Sequence, residues 1–231
     1  MNIVTASSLD KIFPDGGVSL PEKSGVMLKN ERYNFQVAVK EEKFSQIYGA
    51  RLAVKGDISD YVTVRVVKCV HAVFTMYVDS DDYVIFPRGK DSGVYPDVLA
   101  EEPTADIPQN KWVAFWITVH NKNGLPVGKH ELKIELVGEN GETLAETEYS
   151  LEVLDAIIPE TDFPVTHWFH YDAIANYYGV KPWSNEYYNI FGSFLAHYVG
   201  RGSNMLYVPL FTPPLDTKIG GERLDVQLVG K

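Results

Sequence analysis

The chain is poor in cysteine and in positive charge, and each shortage removes a class of function. Cys69 is the only cysteine of 231 residues, so no internal disulfide can form and no thiolate cluster can hold zinc. Lys and Arg number 21 against 31 Asp and Glu, for a net charge of -10. Phosphate backbones and anionic lipid surfaces need clustered cations to displace counterions, so nucleic acid and membrane surfaces are excluded as expected partners. The first ten residues lack a basic start followed by an apolar run, and no later stretch reaches the length of a membrane span. A cytoplasmic location is the default expectation.

Cofactor and metal motifs are also missing. Gly220-Gly221 is not followed by Lys-Ser or Lys-Thr and does not open a helix, so it is no phosphate loop. Asp79-Ser-Asp-Asp82 lacks the glycine and distal glutamate of an EF-hand loop and reads as a solvated acidic loop. His167 and His170, on a strand, would point to opposite faces and make a poor metal pair. No cofactor and no metal are expected.

What is present first is a period-two pattern from Met1 to about Ile158. Tyr33–Val39, Tyr61–Val67 and Lys111–Val119 alternate or run apolar, and Lys129–Val137 and Thr143–Leu154 flank Gly138-Glu-Asn-Gly141 as a hairpin with an Asn-Gly turn. Strands at this spacing without an intervening helix predict a β-sandwich over residues 1–158. Trp112 and Trp116 are expected in its core, as is Cys69, and Tyr77 to Asn110 is expected as one long irregular loop.

Two prolines in Ile157–Pro164 mark a linker, after which the period changes. Tyr187, Ile190, Phe191, Phe194, Leu195, Tyr198 and Val199 fall on one helical face, with Ser184 as N-cap, Glu186 in the first turn, and Gly200 or Gly202 as terminator. Strands over Phe163–Tyr171 and Asn204–Pro214 on either side of this helix make a right-handed βαβ unit. Residues 159–231 thus read as the first βαβ portion of an incomplete (β/α)₈ barrel, since a full one takes roughly 250 residues. Ligands sit at the carboxyl ends of such strands, which points to His167, Trp168, His170 and Tyr171.

Thr166-His-Trp-Phe-His-Tyr171, Asn176-Tyr-Tyr-Gly-Val180, Pro209–Thr217 and Gly220–Val229 resemble a group of bacterial domains similar to the glycoside hydrolase 123 enzymes, which are β-N-acetylgalactosaminidases; Val4–Pro14 and Gly93-Val-Tyr-Pro-Asp97 resemble that group's N-terminal sandwich. The resemblance implies a sandwich followed by a barrel that cleaves glycosidic bonds, with an N-acetylhexosaminide as substrate and the substrate's own acetamido group as nucleophile, a recognised exception to the two-carboxylate scheme. It also implies an adjacent Asp-Glu pair, with Glu as general acid and Asp orienting the acetamide. No Asp-Glu dipeptide occurs here, so no catalytic residue is assigned, the chain is expected to be the front portion of a longer protein, and by itself it is expected to be inactive.

The resemblance does carry over part of a substrate wall: His167, Trp168 and His170 at the first strand, and Phe211, Thr212, Asp216, Arg223 and Gln227 after the second. Flat rings face sugar C–H groups, and the polar side chains supply directional bonds to hydroxyls. Either histidine could equally be a hydrogen-bonded core residue. Two rival readings stand beside the enzyme: a non-catalytic sandwich that binds glycan or a protein, and a small self-contained α+β structural protein.

Overall fold

A computed structural model of the chain describes residues 1–43, 45–73, 92–159, 162–167, 171–181 and 183–206. The chain divides into two compact units, Met1–Pro159 and Glu160–Lys231.

The first unit is two five-stranded sheets. One holds, in spatial order, β1 (Asn2–Ser7), β3 (Tyr33–Lys40), β8 (Trp112–Val119), β5 (Val62–Val73) and β6 (Ser92–Ala100). The other holds β2 (Ser24–Leu28), β10 (Thr143–Leu154), β9 (Gly128–Val137), β4 (Ile47–Lys55) and β7 (Thr104–Ile107). Every pair is antiparallel except β2 on β10. The alternation places Phe35, Val37 and Val39 of β3, Phe115, Ile117 and Val119 of β8, Leu132, Ile134 and Leu136 of β9, and Tyr149, Leu151 and Val153 of β10 in one shared core.

The sheets meet closely at Phe35 and Tyr149, whose rings stack with centroids 3.9 Å apart. Tyr149 Oη lies 2.7 Å from Tyr33 Oη and donates to Glu22 Oε1 at 3.1 Å, so this buried hydroxyl is partnered. Burial, reinforced by the bond to Tyr33, pushes the Tyr149 phenol well above its ordinary pKa. Gly25 of β2 accommodates the cluster, because a Cβ there would fall 1.8 Å from Tyr33 Oη.

Four sequence expectations need correction or refinement. Trp112 and Trp116 are half-buried on the opposite face of β8 from Phe115 and Ile117, because the inward set of that strand is Val113, Phe115, Ile117 and Val119. Trp116 Nε1 donates to Asn34 Oδ1 at 3.1 Å, and Trp112 packs with Ala6, Ile12, Ala38 and Ala114. Cys69 is half-buried rather than a core residue, and burial raises its thiol pKa.

The stretch from Tyr77 to Asn110 is not one loop, since β6 and β7 lie within it. Proline argues against a strand from sequence, but Pro96 sits on an edge strand beside a register shift, where a missing N–H is tolerated. Asp79 to Asp82 lie outside the described residues. In the turn of the β9–β10 hairpin Gly141 N–H donates to Gly138 O and Gly138 N–H to Glu142 O, and Gly141 takes positive φ (88°). The Asn-Gly turn is thus where expected, and its closure by a glycine bulge is the refinement.

In the second unit, α2 (Asn185–Gly200) starts where expected. The Ser184 hydroxyl accepts from Tyr187 N–H at 3.2 Å, Glu186 stands in the first turn, and Gly202 takes positive φ (95°) just past the end. An unexpected helix, α1 (Tyr171–Tyr178), precedes it and ends at Gly179 (φ 66°). Tyr171 therefore opens a helix instead of closing a strand, and the described residues 163–167 carry no strand ladder. Ile174, Ala175 and Tyr187 form the buried centre between the helices, with Trp183 packed against them. Among the described residues no helix is long and apolar enough to cross a membrane.

Candidate functional site

The segment leading to Trp168 is held by two residues that the sequence reading did not single out for this role. Asn204, following the turn after α2, accepts from Val165 N–H through Oδ1 at 2.7 Å and donates through Nδ2 to Phe163 O at 3.0 Å. The amides of Asn204 and Met205 both donate to Val165 O at 3.1 Å. A side-chain amide thus substitutes for part of a strand ladder and sets residues 163–167 beside residues 204–205.

Tyr198, near the end of α2, closes the same junction. Its hydroxyl accepts from His167 N–H at 2.7 Å, donates to Met205 O at 3.0 Å and lies 3.1 Å from Thr166 Oγ1. Burial raises the phenol pKa, but hydrogen bonds from Thr166, the His167 amide and Ser203 outweigh it and leave Tyr198 below its ordinary value. The His167 ring stands edge-on to Tyr198 with centroids 6.1 Å apart. From sequence Tyr198 belongs to the apolar stripe of the helix, and its hydroxyl role depends on partners 31 and 7 residues away.

Of the residues singled out from sequence, His167 is therefore placed, exposed and fixed through its backbone. Trp168, His170, Phe211, Thr212, Asp216, Arg223 and Gln227 lie outside the described residues. Among the described residues no group of three His, Cys, Asp or Glu side chains converges as a metal site.

The junction makes a local prediction. Asn204→Ala removes two side-chain hydrogen bonds, one of them the bond accepted from the Val165 amide, each worth about 0.5–1.5 kcal/mol net. The expected result is faster hydrogen exchange at Val165 with α2 amides unchanged. Unaltered exchange at Val165 would show that the side-chain bond carries no weight in solution.

Residues 168–231 match the family model for the glycoside hydrolase 123 catalytic domain. The chain resembles family 123 glycoside hydrolases. A solved family 123 glycoside hydrolase from Clostridium perfringens, described for glycolipid glycan hydrolysis, superposes with a TM-score of 0.71 at 18% identity, over 89% of this chain and 37% of that one. At that identity the likeness carries the fold, and the chain spans 37% of the length of that relative. The N-terminal domain of PorA (TM-score 0.28, 10% identity, 66% of this chain and 97% of that one) and AvmM, a macrocyclisation catalyst of alchivemycin A biosynthesis (0.31, 13%, 70% and 93%), are too distant in shape to add to it. No curated protein matches the chain. The family 123 match begins at Trp168, the residue directly after the segment that Tyr198 and Asn204 hold.

Proposed function

We propose that this chain corresponds to the β-sandwich, residues 1–158, and the opening portion, residues 159–231, of a barrel glycoside hydrolase. The observation that carries the reading is the family 123 match over residues 168–231, supported by the fold likeness to the Clostridium perfringens hydrolase. The substrate class is carbohydrate, with an N-acetylhexosaminide as the favoured member. His167, Trp168 and His170 would form one side of the sugar site, and Phe211, Thr212, Asp216, Arg223 and Gln227 the other, the rings against C–H faces and the polar groups on hydroxyls.

The Tyr198 and Asn204 bonds support this assignment, since a sugar wall must be held to within a fraction of an ångström and they anchor the backbone immediately before Trp168. Substrate-assisted hydrolysis needs a general acid and an acetamide-orienting carboxylate, and this chain contains no adjacent Asp-Glu pair to supply them. Its part is to bind and orient the sugar, and alone it is expected not to cleave.

The experiment is an assay of the 231-residue chain with an aryl N-acetyl-β-galactosaminide, together with a titration of the methyl glycoside followed at the Trp168 indole resonance. The expected result is no hydrolysis and a saturable shift at Trp168 that disappears in Trp168→Phe. Hydrolysis that a substitution within the chain abolishes would overturn the inactivity. A Trp168 resonance that never moves would overturn the assigned wall.

A further inference from the structure

The sheet that contains β5 and β8 is forked. Their ladder runs from Val62 opposite Val119 to Val67 opposite Ala114 and stops there. Beyond that point β8 continues beside β3 as far as Trp112 opposite Lys40, while β5 continues beside β6 as far as Val73 opposite Ser92. The two halves part around a cleft of about 810 Å³, lined by Phe13, Asp15, Lys68, Tyr95, Lys111 and Trp112 among others. That volume lies in the range of about 300–1,000 Å³ usual for small-molecule sites.

Three features define what fits. The first is ring surface: Phe13 and Tyr95 meet edge to face at 5.5 Å, and half-buried Trp112 has Lys40 Nζ 5.8 Å from its ring centroid. Gly93 keeps the Tyr95 ring low, because a Cβ at Gly93 would come within 3.2 Å of it. The second is charge, for the lining holds two lysines and two aspartates, Lys68, Lys111, Asp15 and Asp106. Lys111 pairs with Asp15, Lys68 with Glu102 at 3.0 Å, and Asp106 accepts from Gly49 N–H at 2.9 Å. The charges of the lining itself are balanced in this way, with Lys40 over the Trp112 ring as one further cation, so the cleft gives little preference to an ionic ligand.

The third feature disfavours an added strand. At the start of β8 the N–H of Trp112 donates to Pro14 O at 2.9 Å and that of Lys111 to Pro108 O at 3.2 Å, so these donors are already used. Recognition then falls to side chains. Aromatic faces with polar groups at their edges, in a cleft of this size whose lining charges balance, suit an uncharged ring bearing hydroxyls.

We propose that the fork in the sandwich is a saccharide-binding site, with Trp112 and Tyr95 as apolar platforms and Asp15 and Lys111 bonding to hydroxyls. The site lies wholly within the first unit and uses none of the residues assigned to the barrel strand ends.

The test uses the full chain and two probes, methyl β-N-acetylgalactosaminide and methyl β-galactoside, with the four indole N–H resonances followed by heteronuclear NMR. Trp112→Phe identifies the Trp112 signal by its loss. The expected result is a saturable shift of the Trp112 resonance with at least one probe, weakened at least tenfold in Tyr95→Ala and in Asp15→Ala. Asp15 is exposed, so that variant is expected to keep its thermal midpoint and still report if Tyr95→Ala unfolds. A shift confined to Trp168 would overturn the fork and leave the barrel assignment standing. No shift at Trp112 with either probe, or a Trp112 shift unaltered by Asp15→Ala in a folded protein, would also overturn it. A Trp112 shift without one at Trp168 supports the fork and counts against the barrel wall.

Discussion

Gly56→Ala is expected to lower the stability of the sandwich by about 3 kcal/mol, from backbone strain and overpacking that each cost roughly 1–3 kcal/mol. Gly56 follows β4 at φ 152°, a conformation that L side chains rarely adopt. A Cβ there would lie 2.7 Å from the Glu131 carbonyl oxygen and 3.1 Å from Leu132 Cδ2. The first neighbour is backbone in the middle of the β9 ladder and cannot swing aside as a side chain would. For a unit of this size the loss corresponds to a fall in Tm of roughly 6–12 °C. Gly17→Ala, where a Cβ meets nothing within 4 Å, is the control and should stay within about 0.5 kcal/mol. Equal midpoints for the two variants in a thermal melt would refute the steric account.

Phe35→Ala is expected to cost more, about 3–5 kcal/mol, the usual range for removing a buried aromatic ring. Phe35 is fully buried and lies flat against Tyr149 of the facing sheet at 3.9 Å, so the substitution opens a void between the layers instead of at an edge. Since whole domains are stable by only about 5–15 kcal/mol, chemical denaturation should show the first unit at a much lower midpoint. A loss below about 1 kcal/mol would mean that the sheets close over the gap.

The same contact has a pH signature at Tyr149. Its pKa is raised in the folded protein by burial and the Tyr33 bond, so its contribution is fully present below the unfolded tyrosine value and is lost as pH rises past it. Tyr149→Phe is expected to flatten the alkaline loss of stability in urea titrations at rising pH. An alkaline limb of unchanged slope would assign that loss to other groups.

Strands β3, β8, β9 and β10 and helix α2 are legible in the chain because each rests on local periodicity, two residues per repeat on a half-buried sheet and 3.6 on a helix. Ser184 is likewise readable, since a cap requires only a hydroxyl at the right offset. β6 was hidden by Pro96, and only the edge position of that strand makes the proline acceptable. α1 was hidden by its length, since eight residues give barely two turns of pattern. The face of β8 that carries Trp112 and Trp116 was read the wrong way because both alternating sets of that strand are apolar. Periodicity separates two faces but does not say which one meets the other sheet.

The candidate site divides along the same line. Trp168 and His170 stand out because their residue types and order resemble a known family, while Tyr198 and Asn204 do not, because their use depends on partners brought close by folding. Alone, the chain's letters determined where strands and a capped helix form, since those depend on neighbours a few positions apart. Which face of β8 is inward, the fork between β5 and β8, the stack of Phe35 on Tyr149 and the junction held by Asn204 were decided only by tertiary structure. Each of these joins residues distant in sequence, and the energy of such a contact exists only once the chain has brought them together.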